Sequence, residues 1–233
     1  MPLLDIEEVK KTYKVGKIET PALRGVSTKI EEGEFTAVVG PSGSGKTTLI
    51  NMIGGLDVPD SGRIMLADDE ISALEQTQLS DIRRTKIGFI FQAYNLIPVL
   101  SAVENVEYVM LLQGVPEKER RKKSEEILEE IGLGGMIHKR PNELSGGQQQ
   151  RVAVARAIVS HPELVLADEP TANLDSKTSG ELLDLMRRLN KEKNITFIFS
   201  THDKLVMERA RRIITLKDGM ISDDHIKNDK QKD

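Results

Sequence analysis

Gly40-Pro41-Ser42-Gly43-Ser44-Gly45-Lys46-Thr47 is the stretch that decides the fold. It follows a largely apolar run, Phe35–Val39, and precedes a helical pattern over residues 47–53. Its glycines let successive backbone N–H groups curl around an anion, and the helix start adds its positive end. A strand, a glycine-rich turn of this spacing and a helix together form a phosphate-binding loop. Lys46 supplies a point charge for the β- and γ-phosphates of a nucleotide, and Thr47 a hydroxyl for Mg²⁺. Gly40, Ser42, Gly43, Ser44, Gly45 and Thr48 complete the expected phosphate contacts.

The neighbourhood agrees. Residues 87–91, 164–167 and 195–200 are further short apolar runs, as expected for strands covered on both faces. Helical spacing separates them: residues 176–192 carry Leu182, Leu183, Leu185, Met186 and Leu189 on one side, with Asp175 and Ser176 as candidate caps. Strands alternating with helices predict an α/β fold with a mostly parallel sheet. Residues 4–13 and 23–30 read as two strands joined near Gly16, an N-terminal antiparallel β-subdomain at the edge. Residues 101–160 break the alternation with helical patterns at 103–113, 117–131 and 148–160. The chain is therefore read as one domain over 1–233. Residues 1–100 and 161–221 form its α/β core, 101–160 an inserted α-helical subdomain, and 222–233 a polar, mobile tail.

Within that frame several residues carry chemistry. The strand Leu164-Val165-Leu166-Ala167 ends in Asp168-Glu169. Downstream of a phosphate loop, Asp168 is placed for the Mg²⁺ shell, and Glu169 for deprotonating a water near the γ-phosphate. Gln92 ends another strand, where its amide would touch both Mg²⁺ and that water; alone, such a glutamine carries no meaning. His202 follows a third strand end and either senses the γ-phosphate or is an ordinary surface histidine. Tyr13 either stacks on a base or packs on the edge sheet. Leu144-Ser145-Gly146-Gly147-Gln148 opens a second helix with two glycines and a hydroxyl, a second anion-binding start. Either the chain binds two anions, or two copies share one nucleotide.

Composition narrows the classes. The 233 residues are 38% hydrophobic and 30% charged, with 3% aromatics, so aliphatic side chains must build the core. A net charge of −4 argues against a general nucleic-acid binder. Glu117-Lys118-Glu119-Arg120-Arg121-Lys122-Lys123 interleaves its signs and reads as a solvated helix face. With no cysteine, disulfides and thiolate metal sites are excluded. No stretch reads as a signal peptide or a spanning helix, so a membrane role would need another chain to cross.

Taken together, these residues resemble the nucleotide-binding subunit of ATP-binding cassette (ABC) transporters, over nearly the whole chain from Tyr13 to about Gly219. The family's elements stand in its order. They are an aromatic loop, phosphate loop, glutamine loop, signature (residues 144–148), acidic strand end, the loop Asn173-Leu174-Asp175, and switch histidine, with no departure at a catalytic position. The resemblance implies an ATPase using ATP and Mg²⁺, with Lys46, Gln92, Glu169 and His202 in catalysis and Thr47, Gln92 and Asp168 at the metal. It implies a head-to-tail homodimer in which Ser145, Gly146, Gly147 and Gln148 meet the partner's ATP. It further implies a separate membrane permease and a cytoplasmic place on the inner face of the membrane. Leu23-Arg24-Gly25-Val26-Ser27, Gly54-Gly55-Leu56-Asp57-Val58-Pro59-Asp60-Ser61-Gly62 and Asn95-Leu96-Ile97-Pro98 are similar to one subgroup. It comprises the macrolide-exporter, lipoprotein-releasing, antimicrobial-peptide-resistance and cell-division ATPases. On that resemblance the apolar stretch Leu96 to Leu100 would dock the membrane subunit, and a regulatory module that signals without moving substrate is the alternative.

Overall fold

The computed structural model describes residues 2–16 and 18–227. Its centre is a six-stranded sheet built from β3 (Phe35–Val39), β6 (Ile87–Phe91), β7 (Leu164–Asp168), β8 (Thr196–Thr201), β9 (Arg212–Lys217) and β10 (Met220–Ile226). The order is β10-β9-β3-β8-β7-β6. All neighbours run parallel except β10, which is antiparallel to β9. The successive apolar residues are explained by the two cores this sheet separates. Phe35, Ala37, Val39, Val165, Ala167, Phe197 and Phe199 point into one cluster, and Val38, Leu164, Leu166 and Ile198 into the other. Alternate side chains leave opposite faces of a strand, so a strand with both faces covered must be apolar throughout.

The second core is closed by α1 (Lys46–Ile53), α2 (Gln76–Thr85) and a separate antiparallel sheet. That sheet holds β1 (Leu4–Val15), β2 (Ile18–Ile30), β4 (Ser61–Leu66) and β5 (Asp69–Glu70) in the order β2-β1-β4-β5. The N-terminal hairpin is thus present, but as part of a sheet of its own, with β1 paired on both sides. Strands β4 and β5 extend it; Ile64 and Leu66 are fully buried and alternate with the exposed Arg63 and the half-buried Met65.

On the other face lie α3 (Ala102–Leu112), α4 (Glu117–Glu130), α5 (Gly146–Ile158) and α6 (Ser176–Lys193). The first three share a single apolar cluster with β3, β7 and β8. Asp175 caps α6, its Oδ1 accepting from the Lys177 and Thr178 amides. Lys122–Glu126 and Lys123–Glu119 pair along the exposed face of α4 as expected. Arg120 and Arg121 depart from that expectation. Both turn inward to the buried Glu107 of α3, at 3.3 and 2.7 Å. Burial pushes the Glu107 carboxyl above its ordinary range, against the pull of the two guanidinium groups.

The expected mobile tail is corrected over residues 222–226, which belong to β10. They are polar because β10 is a solvent-facing edge strand, and the backbone ladder with β9 fixes them. Arg212 adds a two-point grip on Asp224, 2.8 Å from each nitrogen. Residues 228–233 of that tail lie outside the described residues.

Asn105 fastens loop 97–101 along its length, and Glu104 holds its end, accepting from the Ser101 amide at 2.7 Å. Asn105 is fully buried. Its amide donates to the carbonyls of Ile97, Leu100 and Ser101 at 3.0–3.1 Å and accepts from the Ile97 amide at 2.7 Å. Asn105→Leu keeps the branching at Cγ but strands these groups, at about 1–3 kcal/mol for each one left buried. The expected result is a melting temperature lower by several degrees and faster proteolysis at 97–101. An unchanged melt would deny Asn105 this role.

Candidate functional site

The loop between β3 and α1 is a backbone cradle. Gly40 has φ 153°, and a Cβ there would lie 2.1 Å from the Leu216 carbonyl oxygen of β9. No other residue fits. A Cβ on Gly43 would meet nothing within 4 Å, so that part of the loop stands open. Lys46 Nζ arches back over the loop and donates to the Gly40 and Pro41 carbonyls at 2.9 and 3.1 Å. Ser44 is buried, its Oγ without a hydrogen-bond partner.

Above the cradle lies a cavity of about 650 Å³. It runs from Tyr13 and Ala22 of the antiparallel sheet, across Gly40, Ser42, Gly43, Gly45, Lys46, Thr47 and Thr48, to Gln92, Glu169 and His202. Strand register explains the far end. Phe91 pairs with Asp168, and Asp168 with Ser200. Three parallel strands therefore stop at one level, and the next residues of each emerge side by side at their carboxyl ends. Glu169 adopts φ 47°, the left-handed region, a conformation that costs a non-glycine residue about 1–3 kcal/mol. Its amide donates to the Ser200 carbonyl at 2.9 Å. Its carboxylate accepts from Thr201 Oγ1 at 3.1 Å and lies 2.6 Å from His202 Nδ1. Asp168 Oδ1 is buried and has no hydrogen-bond partner.

The loop after Gln92 is held from several sides. Asn173 Nδ2 donates to the Gln92 carbonyl at 2.9 Å. Tyr94 and Asn95 both have positive φ, and Arg156 of α5 donates to their carbonyls at 2.9 and 2.6 Å. Burial lowers the Arg156 guanidinium from its ordinary range. Gln150, fully buried on the same helix, donates to the Pro170 carbonyl at 2.6 Å. At Gly88 the helix touches β6 backbone to backbone, because a Cβ there would lie 2.2 Å from the Ala157 carbonyl oxygen. Thr201, Gln150 and Arg156 were not picked out in the sequence, their only signal being a place beside residues that were; Asn173 was named only as part of the loop 173–175, without its hold on Gln92.

Ser145, Gly146, Gly147 and Gln148 do not line this cavity. Ser145 caps α5: its Oγ accepts from the Gln148 amide at 3.3 Å, and Gln148 Oε1 accepts from the Ser145 amide at 2.9 Å. A Cβ on Gly146 would lie 2.9 Å from the Tyr94 hydroxyl, and one on Gly147 2.5 Å from Thr178 Cγ2.

The glycine-rich cradle, the open cleft and the two acids at a strand end belong to a chain with many similar proteins. The family model described as "ABC transporter" matches residues 23–172. An uncharacterized ABC transporter ATP-binding protein of Thermotoga maritima is 47% identical over 219 residues, covering 94% of this chain and 93% of that protein. The lipoprotein-releasing system ATP-binding protein LolD of Anaeromyxobacter dehalogenans is 44% identical, covering 94% and 92%. The macrolide export ATP-binding/permease protein MacB of Syntrophobacter fumaroxidans is 46% identical over 95% of this chain, which spans only 31% of that longer protein. Among solved structures, the ATP-binding cassette MJ0796, in a dimeric post-hydrolysis state bound to ADP and Pi, superposes with a TM-score of 0.88 at 44% identity, covering 96% of this chain and 98% of that one. The chain belongs to the ABC transporter family.

Proposed function

We propose that this chain is an ATP-hydrolysing subunit that drives a separate membrane protein through nucleotide-dependent, head-to-tail pairing of two copies. The observation that carries the reading is the cleft: the cradle at residues 40–48 and the strand-end residues Gln92, Glu169 and His202 line one cavity. Lys46 and the loop amides hold the phosphates. A water attacks the γ-phosphorus, Glu169 takes its proton, and the bond from that phosphorus to the β,γ-bridging oxygen breaks, giving ADP and phosphate. His202, beside Glu169, contacts the γ-phosphate, and Tyr13 receives the base.

Mg²⁺ fits the residues present. Asp168 offers a buried carboxylate oxygen with no protein partner. Thr47 and Gln92 offer neutral oxygens, and a cation that keeps waters and phosphate oxygens needs little more from protein. When bound, it neutralises charge on the phosphates.

Pairing is supported by the place of residues 145–148, a capped helix start outside its own cleft. Helix starts favour anions, so this one suits the γ-phosphate held by a second copy. The relative MJ0796 was solved as a dimer. A membrane partner is supported by relatives named for lipoprotein release and macrolide export. Among the described residues no helix is long and apolar enough to cross a membrane. Val99, 72% exposed on loop 97–101, offers an apolar contact for such a partner, which would hold the chain on the inner membrane face.

The test is affinity purification of the tagged chain from detergent-solubilised membranes of its own cells. A stoichiometric multi-helix membrane protein is expected, with ATPase activity that requires Mg²⁺. An active ATPase with no such partner would overturn the transport coupling.

A further inference from the structure

The Tyr13 ring is held by a charged cluster that hydrolysis does not use. Its hydroxyl donates to Asp57 Oδ2 at 3.0 Å. Asp57 Oδ1 accepts from Lys11 Nζ at 2.9 Å and from the Val58 amide at 2.8 Å. Lys11, its side chain only 12% exposed, also donates to the Val58 carbonyl at 2.7 Å, and its ammonium stands 5.4 Å from the centre of the Tyr13 ring. On either side of this pair, the Thr12 amide donates to Asp60 Oδ2 at 2.6 Å and the Asp60 amide to the Lys10 carbonyl at 2.9 Å. Four successive residues of β1 are thus tied to the turn that follows α1.

That turn continues the helix that begins at Lys46. The Leu56 and Asp57 amides both donate to the Asn51 carbonyl of α1, at 2.9 and 3.3 Å. Thr48 on the first turn of α1 lines the same cavity as the Tyr13 ring. Burial works against the charge of Asp57, yet Lys11, the Val58 amide and the Tyr13 hydroxyl together hold its carboxyl below the usual carboxylate range. The anion is therefore present at neutral pH, and a hydrogen bond to an ionised acceptor is stronger than a neutral one.

We infer that Asp57 is a positioning residue for base recognition: it fixes the Tyr13 ring against the cavity and, with Lys11, makes that ring one body with the phosphate-loop helix. The spacing from base to phosphates is then set by a single rigid unit before any ligand arrives. The inference rests on the reading of the cleft as a nucleotide site, and its ligand class is the base of a nucleoside triphosphate. The cost of ordering an aromatic side chain on binding is avoided, which is worth roughly three- to tenfold in affinity.

The test compares ATP with inorganic tripolyphosphate, which has the phosphates and no base, in Mg²⁺-containing titrations of the whole chain. Asp57→Ala is expected to weaken ATP roughly three- to tenfold and to leave tripolyphosphate unchanged. In steady state KM rises while kcat holds. Tyr13→Phe, which keeps the ring and the fold, is expected to lose as much ATP affinity, and the double variant no more than either single one. Unchanged ATP affinity in Asp57→Ala, an equal loss of tripolyphosphate, or additive losses would each overturn the inference. A wild-type chain that binds tripolyphosphate and not ATP would instead overturn the reading of the cleft, and this inference with it.

Discussion

Glu169→Gln is expected to lower ATP hydrolysis by about 10²–10⁴-fold while ATP still binds. The substitution keeps size and shape. Its amide oxygen still accepts from Thr201 Oγ1, so the strand end is undisturbed. What is lost is the ability to take a proton from water. The left-handed backbone at this position is no worse for Gln than for Glu. Removing a negative charge beside the γ-phosphate also favours the bound nucleotide. A nucleotide that bridges two copies and is not cut keeps them together, so gel filtration with ATP should show the variant as a dimer. A rate within a few-fold of wild type would remove Glu169 from its role. A variant that stays monomeric at high protein and ATP concentrations would sink the shared site.

Ser145→Arg is expected to leave ATP binding by the isolated chain intact and to abolish both dimerisation and hydrolysis. Ser145 is exposed and lies outside the cavity holding Lys46, so its own cleft does not need it. A long cation at this helix start would collide with the facing copy and oppose the positive end of the helix dipole. The change also removes the α5 cap, at about 1 kcal/mol, a modest drop in melting temperature rather than unfolding. A large loss of ATP affinity in the monomer would return residues 145–148 to the reading of a second anion site within one chain.

Much of this was legible because its signals are local. The glycine-rich turn between β3 and α1 announces itself through glycine spacing and its flanks, and the end of β7 at Asp168 and Glu169 through an apolar run ending in two acids. Runs such as Leu164-Val165-Leu166 show burial on both faces in the sequence itself. Strands β4, β9 and β10 were harder. Ile64 and Leu66 occupy one side of a short strand among exposed residues, and β10 is polar because its partner is β9 on one side and water on the other. The contacts of Thr201, Asn173 and Arg156 were illegible for a different reason. Each acts across 32 to 81 positions of sequence, on carbonyls or carboxylates that only strand register and helix packing bring near. The two arginines of α4 turned toward Glu107 make the same point, since sequence spacing alone cannot say which charges face inward.

The contact at Gly88 gives α5 a fulcrum. It sits opposite Ala157, near one end of the helix, and Ser145 is at the other, about 18 Å away at the helical rise. A tilt of about 5° about that point would carry the serine hydroxyl about 1.5 Å, enough to make or break a hydrogen bond. Arg156, next to the fulcrum, grips the loop after Gln92. Tyr94 of the same loop reaches Gly146 beside the serine, so one loop touches both ends of α5 and a single rod joins the glutamine loop to the serine hydroxyl.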